Sequence, residues 1–395
     1  MTLGQSEAAE QNTIMRFTAL TIREGDAFLL EDNYWPRRCL FDSGKDGTIV
    51  DLLKYKGVNC LDLAICSHND ADHAKGFIEL LKSDIRIQEI WLPGLWSSIL
   101  LFIKDFYSNN NSIEHRYPDH PDYNYNEDLK SLFSDDSVSV EGFNDELSFF
   151  WEWEDFEFDD RFPRILALCT RRITRRIASE LKHYSLMEEG ASSADVKRLL
   201  DNAFSFKMEN IIEIAMLAHQ HKCRIRWFEP TDDRGNIIEI YGFVPLNSQE
   251  LCRVWRFRNS LAFMHALTLS KENKNSLAFE YVKDNVPVIR FSADSRCIAQ
   301  SVRPYTGNII VTAPHHGSRA NDEVYDNIQG DNIIWVRSDS PSRQGKRPSD
   351  KFKSLKDKYC LACKKYNFIS EICFEYEPWP KLWHYVRGER CRCKI

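Results

Sequence analysis

A predominantly apolar run, LDLAICS at residues 61–67, is followed at once by the hexapeptide HNDADH at residues 68–73. A run this short and this apolar is typical of a strand that is buried on both faces of a sheet. The segment FIELLK at 77–82 has helical periodicity, so the hexapeptide lies between a buried strand and a helix. Further short strands and helical segments alternate along the chain, and this order predicts a layered α/β architecture.

The hexapeptide carries four metal-binding side chains, those of His68, Asp70, Asp72 and His73. A loop between a strand and a helix can turn alternate side chains to one side, and the helix N-terminus favours anionic groups there. Imidazole nitrogens and carboxylate oxygens together suit zinc, manganese or iron. The alternative interpretation is a polar turn, in which the Asn and Asp side chains cap the helix and the histidines are only solvated.

Other motifs rich in Gly, Asp, Asn or His lie in order along the chain. They are Glu24-Gly25-Asp26-Ala27, Phe41-Asp42-Ser43-Gly44, Asn273-Lys274-Asn275-Ser276-Leu277, Phe291-Ser292-Ala293-Asp294, Ala313-Pro314-His315-His316-Gly317-Ser318 and Arg347-Pro348-Ser349-Asp350. With the hexapeptide, they resemble the motifs of the metallo-β-lactamase superfamily, whose first metal motif reads His-x-His-x-Asp-His. Asp70 replaces the second histidine of that motif, as in a subgroup similar to the soluble hydrolase domain of ComEC-type DNA-uptake proteins. The resemblance covers about residues 1–95 and 250–355.

The resemblance implies an αββα sandwich, in which helices flank two mixed sheets and metal ions lie at the sheet edge. It implies one or two active-site ions, zinc or manganese. His68 and Asp70 would hold the first ion, and Asp72 and His73 would hold the second.

Asp294 would bridge the two ions by the same resemblance. His315 or His316 would complete the second site, with His316 slightly favoured. The residues expected to take part in catalysis are Asp72, Asp294, His315 and His316.

The chain departs from the superfamily at one ligand position. Most members supply another histidine just before the strand that leads to the bridging aspartate, where this chain has Asn273 and Asn275. The first ion would then be held weakly, by Asn273, or only together with substrate. Asp42 is expected to support the ligand loop through hydrogen bonds.

The activity implied by the resemblance is metal-dependent hydrolysis of a phosphodiester, in nucleic acid or a nucleotide, by a phosphodiesterase or nuclease. Similar stand-alone proteins occur in prokaryotic antiviral defence loci, so a part in such a system is a further expectation. The same metal chemistry would also serve a lactam, a thioester or another non-phosphate ester. The alternative functional class is a catalytically weak interaction subunit of a larger complex.

The predicted organisation has four segments. Residues 1–100 and 251–345 would form the two halves of the metallo-β-lactamase fold, and 346–395 a C-terminal segment. Residues 101–250 would be an insertion, largely irregular over 107–161 and helical over 163–220, that covers the active site or binds a protein partner. The run Arg171-Arg172-Ile173-Thr174-Arg175-Arg176 could contact phosphates, but a solvated face paired with the acidic stretch before it is favoured.

The C-terminal segment contains two close cysteine pairs, Cys360 with Cys363 and Cys391 with Cys393. Four thiolates would satisfy one tetrahedral structural zinc ion and fix the tail. The alternative is a set of ordinary reduced cysteines. A one-residue spacer in the second pair weakens the zinc interpretation.

Composition narrows the class of protein. Hydrophobic residues make up 43% and charged residues 28% of the 395 residues, a balance typical of a globular protein with a sizeable core. The net charge of -7 argues against a surface that is basic throughout, though not against a local basic groove. No signal peptide or membrane span is expected, and the scattered cysteines favour a reducing cytoplasm.

Overall fold

The computed structural model describes residues 15–108, 133–147, 207–231, 238–257, 262–263, 266, 276–296, 304–339, 347–362, 371–388, 390–391 and 393. It has a mixed α/β architecture, which confirms the α/β class expected from the sequence.

The larger sheet has nine strands in the order β17-β16-β1-β2-β3-β4-β5-β7-β9. The strands are β1 (Met15–Leu20), β2 (Phe28–Glu31), β3 (Arg38–Phe41), β4 (Cys60–Ile65), β5 (Arg86–Pro93), β7 (Arg224–Pro230), β9 (Ser248–Glu250), β16 (Glu371–Glu377) and β17 (Leu382–Arg387). Strands β3, β4, β5 and β7 are parallel, whereas the remaining neighbours pair antiparallel. The parallel centre agrees with the apolar sequence of β4.

The second sheet has six strands in the order β15-β14-β13-β12-β11-β8. They are β8 (Phe243–Pro245), β11 (Phe279–Lys283), β12 (Val286–Phe291), β13 (Ile309–Thr312), β14 (Ile333–Arg337) and β15 (Lys358–Cys360). Strands β12 to β15 are parallel, and β8, β11 and β12 pair antiparallel.

Seven α-helices lie within the described ranges. They are α1 (Thr48–Tyr55), α2 (Ala71–Lys82), α3 (Gly94–Ser108), α4 (Val140–Glu146), α5 (Lys207–Gln220), α6 (Asp322–Asn327) and α7 (Asp350–Ser354). Helix α2 begins inside the hexapeptide and buries Phe77, Leu80 and Leu81. Its apolar side is therefore fixed against the core, and its first turn is fixed at the candidate site.

Two large buried clusters lie on opposite faces of the nine-stranded sheet. One cluster contains Leu63 and Ile65 of β4 together with residues of the six-stranded sheet, and the ring of Phe41 stacks on that of Phe291 with centroids 4.6 Å apart. The other contains Ala64 and buried residues of α1, α2, α3 and α5. Successive residues of a strand point to opposite faces, so β4 contributes to both clusters. A third cluster packs α6 and α7 on the six-stranded sheet.

The stretch expected to be largely irregular contains ordered elements within the described residues. Strand β6 (Phe133–Ser139) pairs antiparallel with β10 (Arg253–Phe257), and α4 follows it directly. The pairing joins segments over a hundred residues apart, so local periodicity could not reveal it. The run at Arg171–Arg176 and the helices predicted over 163–206 lie outside the described residues. None of the described helices is both long and apolar enough to cross a membrane.

Candidate metal centre

The predicted metal-binding side chains follow the carboxyl ends of three strands. His68 comes after β4, Asp294 after β12, and the pair His315 and His316 after β13. Strands β12 and β13 are parallel neighbours in one sheet, and β4 belongs to the sheet packed against it. Parallel strands place their carboxyl ends at one edge, so the fold brings together residues more than 200 positions apart.

Two close backbone approaches hold the hexapeptide in this place. Gly25, with φ +104°, lies so near the start of α2 that a Cβ atom there would be 1.6 Å from the Asp72 carbonyl oxygen. The Asp26 amide donates to that oxygen at 3.1 Å. Gly76 lies equally close to the backbone of Ser43, where a Cβ would be 2.2 Å from its carbonyl oxygen. Both positions therefore require glycine.

The carboxylate of Asp294 lies between two groups of histidines. Its Oδ1 atom is 3.3 Å from His73 Nε2 and 3.9 Å from His316 Nε2. Its Oδ2 atom is 3.7 Å from His68 Nε2 and 3.6 Å from His315 Nε2. We call the residues on the first side (Asp26, Asp72, His73 and His316) the inner group, and those on the second side (His68, Asp70 and His315) the outer group.

The inner group is the more deeply buried of the two, and within it only the Asp72 side chain is partly exposed, at 14%. His73 is 0% exposed and His316 1% exposed, and their Nε2 atoms are 3.1 Å apart. The Oδ2 atom of Asp72 lies 3.5 Å from His316 Nε2. One atom from each of Asp26, His73, Asp294 and His316 falls within 4.8 Å of the others, a set that could hold a metal ion.

The outer group is nearer the surface. His68 is buried, but the side chains of Asp70 and His315 are 26% and 18% exposed. His68 Nε2 lies 3.7 Å from Asp70 Oδ2, and these two residues form with Asp294 a second set that could hold an ion. Of the paired histidines, His316 therefore belongs to the inner group and His315 to the outer group.

Hydrogen bonds at the Nδ1 atoms orient both inner histidines. His73 Nδ1 is 2.8 Å from Asp42 Oδ2, and His316 Nδ1 is 3.0 Å from Asp26 Oδ1. A carboxylate can only accept, so the proton of each ring is on Nδ1 when the ring is neutral. The two Nε2 lone pairs then point at each other, which is favourable only with a cation between them. A histidine bound in this way to a carboxylate is a typical metal ligand.

The outer histidines have the same orientation, but neutral groups hold them. His68 Nδ1 is 2.9 Å from the hydroxyl of Ser67, which donates to Asp42 Oδ2 at 2.9 Å. His315 Nδ1 is 3.2 Å from Asn321 Oδ1. The amide nitrogen of Asn321 donates to the Asp294 carbonyl, so the oxygen of that amide accepts from His315. Each outer ring therefore also presents an Nε2 lone pair to Asp294.

Asp42 makes four hydrogen bonds, and three of them connect the two groups. It accepts from the Ser67 amide at 2.8 Å, from the Ser67 hydroxyl and from His73, and its own amide donates to Ile65 at 2.9 Å. Asp42 therefore contacts both the ring of His73 and the residue that orients His68. Its φ of 56° is in the left-handed region, as are the φ values of Ala293, His315 and His316. Such a conformation costs a non-glycine residue about 1 kcal/mol or more, and it is typical of functional sites.

The electrostatics of the cluster favour positive charge at its centre. Burial alone would lower the pKa of His316, but the carboxylates of Asp26, Asp72 and Asp294 together outweigh it and raise the pKa to about 10. Burial likewise opposes the charge on His73, yet Asp294 and Asp42 raise its pKa well above the usual value. Burial would raise the pKa of Asp294, but the neighbouring histidines lower it. Protons or metal ions can supply this charge.

The residues fit metal ions in two further respects. Ligand atoms about 2.1 Å from one tetrahedral ion lie about 3.4 Å apart, close to the 3.1–3.9 Å separations observed here. Within the described residues, His68 Nε2 and Asp26 Oδ2 are buried and make no hydrogen bond. Buried polar atoms are rarely left so, and a bound cation would satisfy both.

The structure brings together all seven residues predicted as ligands. Asn273 lies outside the described residues. Asp26 was not predicted as a functional residue, although it is 1% exposed and orients His316. A signal was present, because an aspartate directly after Gly25 and between two apolar strands is a polar residue in a segment that must be buried. Ser67 and Asn321, which orient the outer histidines, had no comparable signal.

Three of the four predicted zinc-binding cysteines also lie together. The sulfur atoms of Cys360, Cys391 and Cys393 are within 4.8 Å of one another and could hold a metal ion. Cys363 lies outside the described residues.

Comparison with known proteins identifies no family for this chain, because neither a protein-family model nor a curated protein matches it.

Proposed function

We propose that this chain is a metal-dependent hydrolase of the metallo-β-lactamase superfamily that cleaves phosphodiesters, as a phosphodiesterase or nuclease. The observation that carries the proposal is the position of Asp294. Its two oxygens face two separate histidine groups, and all four histidines direct Nε2 towards it. A carboxylate shared between two ions is the arrangement by which two-metal hydrolases hold their ions a few ångströms apart.

The proposed fold is the αββα sandwich. Its support is the order of the clusters, with one between the two sheets and one under the helices on the outer side of each sheet. The site at the carboxyl ends of β4, β12 and β13 agrees with that proposal.

The inner group would hold one ion through His73, His316, Asp72 and Asp294. Asp26 orients His316 through Oδ1, and its buried Oδ2 would face the same ion. The outer group would hold the other through His68, Asp70, Asp294 and His315. His315 then takes the place of the histidine that the chain lacks near Asn273, because its Nε2 atom is as close to Asp294 as that of His68.

Zinc or manganese bound here would supply an activated water and stabilise negative charge on the substrate. The protein's own residues keep the ligand atoms in place and limit the entry of solvent. Asp42 and Asp26 hold the inner rings in one tautomer, and the buried inner group excludes water on that side. The partly exposed side chains of Asp70 and His315 leave the outer side open to substrate.

An anionic substrate agrees with the position of Arg347. Its side chain is 14% exposed, and its Nη1 atom, which makes no hydrogen bond within the described residues, lies 3.8 Å from Asp339 Oδ1. Burial and the positive charge of Arg347 together lower the pKa of His315 against the opposing effect of Asp294. A guanidinium group whose charge acts on the outer group would favour an anionic substrate such as a phosphate ester. This cation and the motif resemblance favour a phosphodiester substrate over a lactam or a thioester.

The test is turnover of bis-p-nitrophenyl phosphate and single-stranded DNA by the purified chain, with and without added zinc or manganese. We expect hydrolysis that requires metal and is lost on chelation. Hydrolysis of a lactam or thioester alone would contradict the substrate class. Metal binding without turnover of any of these substrates would favour the interaction subunit instead.

A further inference from the structure

The cysteine cluster (Cys360, Cys391 and Cys393) lies at the edge of the six-stranded sheet, away from the histidine groups in sequence and chemistry. Its three sulfur atoms come from two parts of the chain, β15 and the C-terminal tail. A tetrahedral zinc site with Zn–S bonds of about 2.3 Å has sulfur atoms about 3.8 Å apart. The three sulfur atoms all lie within 4.8 Å of one another, which is compatible with that spacing.

Two N–H groups point at sulfur atoms of the cluster. Arg337 Nη1 donates to Cys360 Sγ at 3.0 Å, and the Cys393 amide donates to Cys391 Sγ at 3.4 Å. A neutral thiol is a weak acceptor, so a buried guanidinium group gains little from it, whereas a thiolate is a strong partner. The contacts therefore favour thiolates, the form that binds metal.

A divalent ion would offset most of the negative charge of the cluster. Three thiolates and one zinc ion carry a net charge of about -1, by simple valence. Arg337, 3% exposed, adds one positive charge beside Cys360 and also pairs with the Asp339 carboxylate. Without a cation, three thiolates packed together in a partly buried site would repel one another strongly.

The cluster fixes the C-terminal tail to the sheet. The Cys391 amide donates to the Lys358 carbonyl at 2.7 Å, and Arg390 forms an isolated antiparallel bridge with Tyr359. Cys391 also packs against the hydrophobic cluster of α6 and α7. A metal link would add to these contacts and stabilise the position of the tail.

Arg337 connects the cysteine cluster to the loop that carries the paired histidines. Its Nε atom donates to the His316 carbonyl at 2.6 Å while Nη1 donates to Cys360. Cys360 and Arg337 are partners in the parallel register of β14 and β15, which places both side chains on one face. A change in the charge of the cluster therefore acts directly on the guanidinium group that supports His316.

We propose that Cys360, Cys391 and Cys393 bind a second kind of metal ion, a thiolate-bound zinc, which fixes the tail and holds Arg337 against the His316 backbone. The inference does not depend on hydrolase activity. It predicts a structural ion whose loss weakens metal binding at the inner group by a few fold and leaves the histidine ligands in place.

The experiment uses the full chain loaded with Co²⁺ in place of zinc and read by absorption spectroscopy. Thiolate–cobalt bonds give an intense charge-transfer band in the near ultraviolet, which imidazole and carboxylate ligands do not. We expect this band in the wild type and in Asp294→Asn. We expect its loss in Cys391→Ser and Cys393→Ser, both at partly exposed positions where folding is retained. Cys252→Ser, at an exposed cysteine, is the matched control and keeps the band.

Zinc analysis of the same proteins gives a second readout. The two tail variants should each lose one equivalent relative to Cys252→Ser, while Asp294→Asn loses only the ions of the histidine groups. Absence of the band in wild type, or its persistence in both tail variants, would overturn the proposal. Mass spectrometry that finds a disulfide among these cysteines in the freshly purified protein would overturn it as well. None of these outcomes depends on diester turnover, so they remain distinct from failure of the proposed function.

Discussion

The inner and outer groups share one carboxylate, yet the protein holds their histidines in different ways. Carboxylates bind the Nδ1 atoms of His73 and His316, whereas a hydroxyl and an amide oxygen bind those of His68 and His315. A carboxylate partner makes the opposite ring nitrogen a stronger ligand than a neutral partner does. The inner group is also the more deeply buried. We therefore expect a tightly held inner ion and a weaker, more accessible outer ion.

The largest effect is expected from removing the carboxylate that the groups share. Asp294→Asn is nearly isosteric, but it takes negative charge away from both sides at once. Diester hydrolysis should fall at least about 100-fold, equivalent to about 2.7 kcal/mol of transition-state stabilisation. Bound metal should fall at both groups, measured by elemental analysis after dialysis. A wild-type rate in this variant would refute the two-metal mechanism.

Removing one histidine from each group tests the difference between them directly. His316→Ala should abolish the inner ion and, because His316 is 1% exposed, also destabilise the fold. His315→Ala should remove only the weaker outer ion. Calorimetric metal titration of protein that already holds zinc at the cysteine cluster should show two binding events in wild type and the tighter one alone in His315→Ala. Two unchanged events in His315→Ala would show that this residue is not the missing ligand.

A smaller effect is expected from the residue that orients ligands without binding metal. Asp42→Asn keeps the size of the side chain but removes the charge that supports His73. Metal affinity should fall about 10- to 100-fold at the inner group. The matched control is Asp62→Asn, since Asp62 accepts backbone N–H bonds from Arg37 and Arg38 instead. Equal metal affinities in these two variants would contradict the supporting role of Asp42.

The smallest effect on metal binding is expected from the turn that touches the start of α2. Gly25→Ala introduces a Cβ at a φ of +104° that overlaps the Asp72 carbonyl. Gly57→Ala is the matched control, because Gly57 has a φ of +70° but no atom within 4 Å of the added Cβ. The control should lose about 1 kcal/mol of unfolding free energy, and Gly25→Ala about 1–3 kcal/mol more. Chemical denaturation measures both, and equal losses would mean that the turn moves freely away from α2.

Much of the metal centre was predictable because its ligands directly follow strands whose apolar sequences can be recognised locally. The apolar sequence of β4 predicted a buried strand, and the hexapeptide after it had to lie at that strand's carboxyl end. The α/β class followed from the same alternation of strands and helices. By contrast, the pairing of β6 with β10 and the place of Asp26 depend on contacts between distant segments.

The sequence by itself determined which side chains could bind metal, and that the first four would follow a buried strand and lead into a helix. The helix in fact begins at Ala71 and contains two of the four, Asp72 and His73. Only the tertiary structure decided how these residues are divided. His315 and His316 are neighbours in sequence, but their left-handed backbone turns the rings to opposite oxygens of Asp294. The local sequence does not encode that division. Asn321, which fixes His315, is six residues away, but Asp26, which fixes His316, is 290 residues away and reaches the site only in the folded chain.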